Sequence, residues 1–166
     1  VAKVAASLGA VLVNHARVTA LHRRNGRTGA ATVHDALTDR EFQIRARKVV
    51  LAGGVWLDEL LALDDPKLVP NMRPARGVNI VVPGDRLPAG AAIAMTAPSD
   101  GRLVFAIPWH HRTLISTTDS PYSGDLAHPE FEMEEVDYLL EVADHHVPAA
   151  GLGRQDVVSA QAGLRP

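Results

Sequence analysis

The sequence predicts an α/β (α+β) fold in two parts, and three patterns carry that expectation. A helix-like segment at residues 1–8 is followed at once by the apolar run Ala10-Val11-Leu12-Val13. A second apolar run, Lys48 to Ala52, closes on Gly53-Gly54 and leads into the helix-like Val55 to Leu63. The rest alternates in the manner of antiparallel strands and contains one amphipathic helix, so both element types must share the core.

In chain order, Gly9 is placed to stop the first helix, and Ala10 to Val13 reads as a short buried strand. Hairpins follow: Val18 to His22, a turn at Asn25-Gly26, Ala30 to Leu37, a turn at Thr38-Asp39, and Phe42 to Ile44. The β-branched run at Lys48 to Ala52 reads as a buried parallel strand entering a glycine turn. Asp64 to Arg76, with Pro66, Pro70 and Pro74, suits an irregular crossover between parts. Strands are expected at Val78 to Val82, Leu103 to Pro108 and Thr113 to Thr117, forming a second sheet. Val136, Leu139, Leu140, Ala143 and Val147 repeat at helical spacing, which predicts an amphipathic helix over 132–147 with acidic residues in its first turn and Pro148 as its stop. The expected boundary divides 1–60 from 61–166.

Composition narrows the function classes. Over 166 residues, 46% hydrophobic and 22% charged is ordinary globular usage, which excludes disorder and collagen. The longest uncharged apolar run, Val49 to Leu57, is half of what crosses a bilayer. Seventeen basic against nineteen acidic residues leave a net charge of −2, without the excess that binding a phosphate backbone requires, so no nucleic-acid partner is expected. Zero cysteines remove disulfides, thiolate metal sites and cysteine nucleophiles, and fit a reducing, cytoplasmic compartment. The chain opens on Val1 and shows no signal or transit composition, so it reads as an internal segment of a longer protein.

Few residues invite chemistry. A strand ending in Gly53-Gly54 serves a tight strand-to-helix turn or lets backbone amides approach a ligand. Ser116-Thr117-Thr118-Asp119 places hydroxyls and a carboxylate at a strand end, where they cap the turn or face a pocket. Arg165, after Ala162-Gly163-Leu164, is a surface arginine or a guanidinium offered to an anion. The pairs His110-His111 and His145-His146 are adjacent in sequence and so diverge on any regular element, and no metal is expected. No serine has the G-x-S-x-G setting of a hydrolase nucleophile.

In order, Val49-Val50-Leu51-Ala52-Gly53-Gly54-Val55-Trp56, Arg73 to Pro83 (RPARGVNIVVP), Asp100 to Trp109 (DGRLVFAIPW), Ser116-Thr117-Thr118-Asp119 and Ala162-Gly163-Leu164-Arg165-Pro166 resemble the middle of the FAD-dependent, quinone-linked glycerol-3-phosphate dehydrogenases. These belong to the D-amino-acid-oxidase-like flavoproteins, and the resemblance runs from the first helix to Pro166. It implies part of an FAD-binding Rossmann-like domain at 1–60 and a mixed-sheet substrate-binding (cap) domain at 61–166 that covers the isoalloxazine. It implies FAD as cofactor, with Arg17, Val18, Ala52, Gly53, Gly54 and Trp56 beside it. It also implies sn-glycerol 3-phosphate as substrate, held by Arg165 and Thr117, oxidation to dihydroxyacetone phosphate, a quinone or other acceptor, and peripheral contact with the inner membrane.

Two departures stand out against that pattern. Gly53 replaces the usual threonine or serine, and Asn79 stands where the family reads histidine in Gly-x-His. With Arg165, position 79 is expected to be catalytic, yet an asparagine has no titratable group near neutral pH and cannot act as base. The alternatives are a related FAD oxidoreductase for another hydroxy acid or amine, or a non-catalytic binding domain.

Overall fold

A computed structural model describes all 166 residues, and the chain divides into two compact units, Val1–Asn71 and Met72–Pro166. Residues 61–71, expected in the second part, belong to the first. Helix α2 continues to Asp64, and the Asn71 N–H is tied back to Asp58 at 2.8 Å.

The first unit opens with helix α1 (Ala2–Ser7), which Gly9 follows at φ +91°, a conformation that costs glycine little. Strands β1 (Ala16–Arg24), β2 (Arg27–Asp35) and β3 (Arg40–Arg45) form an antiparallel meander. The expected turns join them: Asn25 and Gly26 both have positive φ, as a two-residue hairpin turn requires, and Asp39 sits at φ 54°. A 3₁₀ turn at Gly54–Trp56 leads into α2 (Leu57–Asp64), which packs on β1.

Two expectations fail here. Neither Ala10 to Val13 nor Lys48 to Ala52 forms a strand; the first is open to solvent, with Val11 88% exposed, and the second is half-buried at Val49 and Leu51 with Val50 84% exposed. A parallel strand exists only where neighbouring strands take up its N–H and C=O groups, and no segment of this chain lies beside either run to do so. Their apolar β-branched composition is real, but it cannot produce burial without those neighbours.

The second unit is one six-stranded sheet covered on one face by a helix. Strands β4 (Ala75–Pro83), β5 (Ile93–Thr96), β6 (Leu103–Trp109), β7 (Arg112–Ser116), β8 (Ser120–Pro121) and β9 (Ser159–Arg165) run in the order β5-β6-β7-β4, with β8 and β9 also paired to β4. Every pairing is antiparallel, so the sheet is not mixed as expected. A turn at His110-His111 reverses β6 into β7, and the chain returns from α3 to lay β9 against β4 in the opposite sense.

Helix α3 (Met133–His146) lies within a residue of its expected span. Its N-terminus carries a capping box in which the Glu135 carboxylate accepts the Glu132 N–H at 3.2 Å. Val136, Leu139, Leu140, Val142 and Ala143 meet Val78, Ile80 and Val82 of β4, Val104 and Ala106 of β6 and Ile115 of β7 in a single apolar core. Leu139 is fully enclosed there, so Leu139→Ala is expected to destabilise the unit by about 2–5 kcal/mol, read as a lower midpoint in urea unfolding.

Candidate functional site

Because β4 is pleated, Val78, Ile80 and Val82 face α3 while Gly77, Asn79 and Val81 face the other way. Cross-strand register extends that uncovered face. Asn79 pairs with Ser116 of β7 and Gln161 of β9, Gly77 pairs with Gly163, and Val81 pairs with Leu114. On β6 the same face carries Phe105, Ile107 and Trp109, of which Phe105 and Trp109 are exposed. The face is therefore apolar towards β6 and polar towards β9. A sheet face that ends in solvent normally alternates to polar residues, so this composition marks a surface suited to an apolar, ring-like ligand or another layer.

At the polar end lies Arg165, the last residue of β9. Its Nη2 donates to Thr117 Oγ1 at 3.1 Å and to the Thr118 carbonyl at 3.0 Å, and its Nη1 donates to Asp119. The guanidinium rests directly over Gly77, where a β-carbon would lie 2.5 Å from Nη2 and 2.7 Å from Thr117 Oγ1. Gly77 is thus a glycine because this arginine occupies its side-chain space. Asn79 is two residues further along the same face, roughly 6–7 Å away by strand geometry. The structure therefore brings Arg165, Thr117 and Asn79 together, and it adds Gly77, Asp119 and Gln161. Of these, only Asp119 and Gly77 stood within the singled-out motifs, and Gln161 had no local signal at all.

The arginine is held rather than free. Three acceptors at fixed places orient its planar fork, while nearly half of its side chain stays open to solvent. Chemically this is a cation set at the polar end of the face, competent to take an anion. Any such anion must share the guanidinium with the Asp119 carboxylate.

In the first unit, Arg17, Val18 and Thr19 of β1, His34 of β2, and Gly53, Trp56, Glu59, Leu60 and Leu63 line one cleft of about 720 Å³. Four of the six residues expected beside a cofactor, namely Arg17, Val18, Gly53 and Trp56, meet there. Ala52 and Gly54 flank it in sequence and are solvent-exposed, without lining it. The two glycines have different reasons. A β-carbon on Gly53 would collide with the Leu60 side chain, so its missing side chain serves helix packing. Gly54 sits at φ +55° with open space before it, so here a bare backbone faces outward at the start of the helical turn. The cleft's lining of guanidinium, imidazole, hydroxyl, indole and aliphatic groups, with Glu59 as a carboxylate, suits a ligand of mixed polarity.

Comparison with known proteins decides the lineage. The whole chain, residues 1–166, matches the family described as DAO, FAD dependent oxidoreductase. The chain belongs to this family of FAD-dependent oxidoreductases. Among curated relatives of this DAO-family chain, the alpha-glycerophosphate oxidase of Enterococcus casseliflavus is 37% identical over 161 residues, 95% of this chain and 26% of that protein. The enzyme of the same name from Lactococcus lactis is 35% identical over 166 residues, 99% of this chain and 27% of that protein. The solved glycerol-3-phosphate dehydrogenase from Bacillus halodurans, complexed with FAD, superposes with a TM-score of 0.88 at 38% identity, over 97% of this chain and 32% of that one. RebC-10x, at 19% identity and a TM-score of 0.55 over 98% of this chain and 31% of that one, shares the fold. The chain thus spans about a quarter of the length of the curated relatives it matches.

Proposed function

We propose that this chain is part of an FAD-dependent enzyme that oxidises sn-glycerol 3-phosphate to dihydroxyacetone phosphate. In this reading the first unit supplies a portion of the FAD-binding domain and the second is the substrate-binding domain. The observation that carries it is the Arg165 guanidinium, oriented by Thr117, the Thr118 carbonyl and Asp119 on the uncovered sheet face. The names of the relatives, an oxidase and a dehydrogenase of this substrate, support it.

Arg165 binds the phosphate through its fixed charge and the donors that Thr117, the Thr118 carbonyl and Asp119 do not engage, its Nε–H and the second Nη1–H. Thr117 keeps the fork in place and offers its hydroxyl on the same side. Arg17, Val18, Ala52, Gly53, Gly54 and Trp56 hold part of FAD in and around the first unit's cleft. When bound, FAD supplies the acceptor for the hydride that leaves substrate C2. The hydroxyl proton must leave as well; Asn79 can orient that hydroxyl by a hydrogen bond without accepting the proton, which therefore passes to water or to another base. Electrons then pass to a quinone or another acceptor, with the protein cytoplasmic and in peripheral contact with the inner membrane; no helix here is long and apolar enough to cross one.

Turnover in the full-length protein with an artificial dye acceptor tests the reading. Glycerol 3-phosphate is expected to be consumed far faster than 2-hydroxy acids or amino acids, and a preference for either of the latter would overturn it. Oxygen uptake against reduction of a soluble quinone then identifies the acceptor. Asn79 favours a second reading, a changed substrate within the same family. Asn79→His is expected to raise turnover of glycerol 3-phosphate and to introduce an inflection near pH 6.5 or so, where an imidazole becomes able to accept a proton. An unchanged rate and a flat profile would remove position 79 from the proton transfer.

A further inference from the structure

Thr117 and Thr118 face opposite sides of the sheet. Thr117 Oγ1 meets Arg165 on the uncovered side. The Thr118 side chain is only 2% exposed; its hydroxyl accepts the Val78 N–H at 2.8 Å and donates to Glu135 Oε1 at 3.1 Å beneath the sheet. Yet the carbonyl of Thr118 returns to the uncovered side and accepts Arg165 Nη2 at 3.0 Å. One residue is thus anchored by its side chain on α3 and holds the arginine by its backbone.

The anchor is itself fixed. Glu135 Oε2 takes Arg76 Nη2 at 2.8 Å, with both side chains 11% exposed, and also the Glu132 N–H that starts the helix. Arg76 is held in turn by the Glu130 carbonyl at 2.8 Å and by the Tyr122 ring, 5.5 Å from its centroid. Its Nε is buried with no hydrogen-bond partner, so the guanidinium has been set by its other contacts at the cost of one donor. A buried ion pair is a poor source of stability, since apolar residues of similar size do as well or better, and its retention here calls for another reason.

We infer that Glu135 is a positioning residue for Arg165, acting across the sheet through Thr118, with Arg76 as its counter-ion. This rests on the reading of Arg165 as the phosphate ligand. Glu135 and Arg76 lie on the covered side, so neither touches the substrate. The carboxylate holds the Thr118 hydroxyl, the hydroxyl fixes the peptide, and the peptide carbonyl sets one arm of the guanidinium fork. Loss of the anchor lets the 117–119 segment relax, and the fork turns away from the phosphate. Misplacement on the order of an ångström is enough to cost binding severely.

The test uses the full-length flavoprotein with sn-glycerol 3-phosphate as probe, with melting temperature and flavin content followed for each variant. Thr118→Val removes the hydroxyl at constant shape and is expected to raise KM about tenfold with kcat little changed, because binding of ground and transition states is lost alike. Thr118→Ser, which keeps the hydroxyl, is expected to restore KM. Arg76→Met combined with Glu135→Leu replaces the ion pair by apolar packing; the lost capping-box bond is expected to lower the melting temperature modestly while the variant stays folded and KM stays high. If KM returns to normal in that folded double variant, or if Thr118→Val leaves it unchanged, the inference is overturned. Arg165→Ala serves as the reference: unaltered KM there removes the reading of Arg165 itself, whereas raised KM there with normal KM in the Thr118 and Glu135 variants removes the anchor alone.

Discussion

Arg165→Ala is expected to raise KM for sn-glycerol 3-phosphate by about ten- to hundredfold in the full-length protein, with a smaller effect on kcat. The magnitude follows from hydrogen bonds to a charged partner, worth about 1.5–3 kcal/mol each in net terms. Arg165→Lys keeps the charge and loses the fork, so its KM should fall between those of the wild type and the alanine variant. Steady-state kinetics with glycerol 3-phosphate, set beside glycerol itself, check the assignment. The arginine should discriminate in favour of the phosphorylated substrate, and its removal should shrink that preference. Equal losses for both compounds would mean that Arg165 supports the fold of β9 and not the anion.

Gly77→Ala is expected to produce a defect of similar size from a residue with no side chain. The added β-carbon would stand 2.5 Å from Arg165 Nη2 and 2.7 Å from Thr117 Oγ1, well inside the roughly 3.5 Å of ordinary contact, so both groups must move. The β4 backbone has no positive φ at this position and tolerates alanine by itself, so stability should change little while KM rises about tenfold or more. A melting temperature that falls sharply with unchanged KM would show that Gly77 serves sheet packing and not the arginine.

How far these features could be read from sequence depends on how local their causes are. The hairpin at Asn25-Gly26 and the span of α3 were legible because turn chemistry and helical spacing act over a few residues. Strand β9 was not, since Ser159-Ala-Gln-Ala-Gly-Leu-Arg165 alternates in exposure but is built from small residues without β-branching. Strand β5, four residues long, was missed for want of length. The runs at 10–13 and 48–52 show the converse error: their composition reads as buried, yet burial is a property of neighbours. Arg165, Thr117 and Asn79 stand out in the sequence only through the ordered motifs of the family resemblance, and the structure puts them on one face. The role of Gly77 needed the register of β4 against β9, and the Thr118–Glu135–Arg76 set joins residues 17 and 40 or more positions apart, which no local pattern announces.

In the proposed reading, the uncovered sheet face of the second unit presents phosphorylated glycerol to a flavin by way of Arg165. Anaerobic mixing of the full-length protein with sn-glycerol 3-phosphate, followed through the absorbance of oxidised flavin, tests it most directly. Rapid bleaching by glycerol 3-phosphate, little by glycerol, and a strongly raised half-saturating concentration in Arg165→Ala are expected. A colourless protein, or a flavin that glycerol and glycerol 3-phosphate bleach equally well, would contradict it.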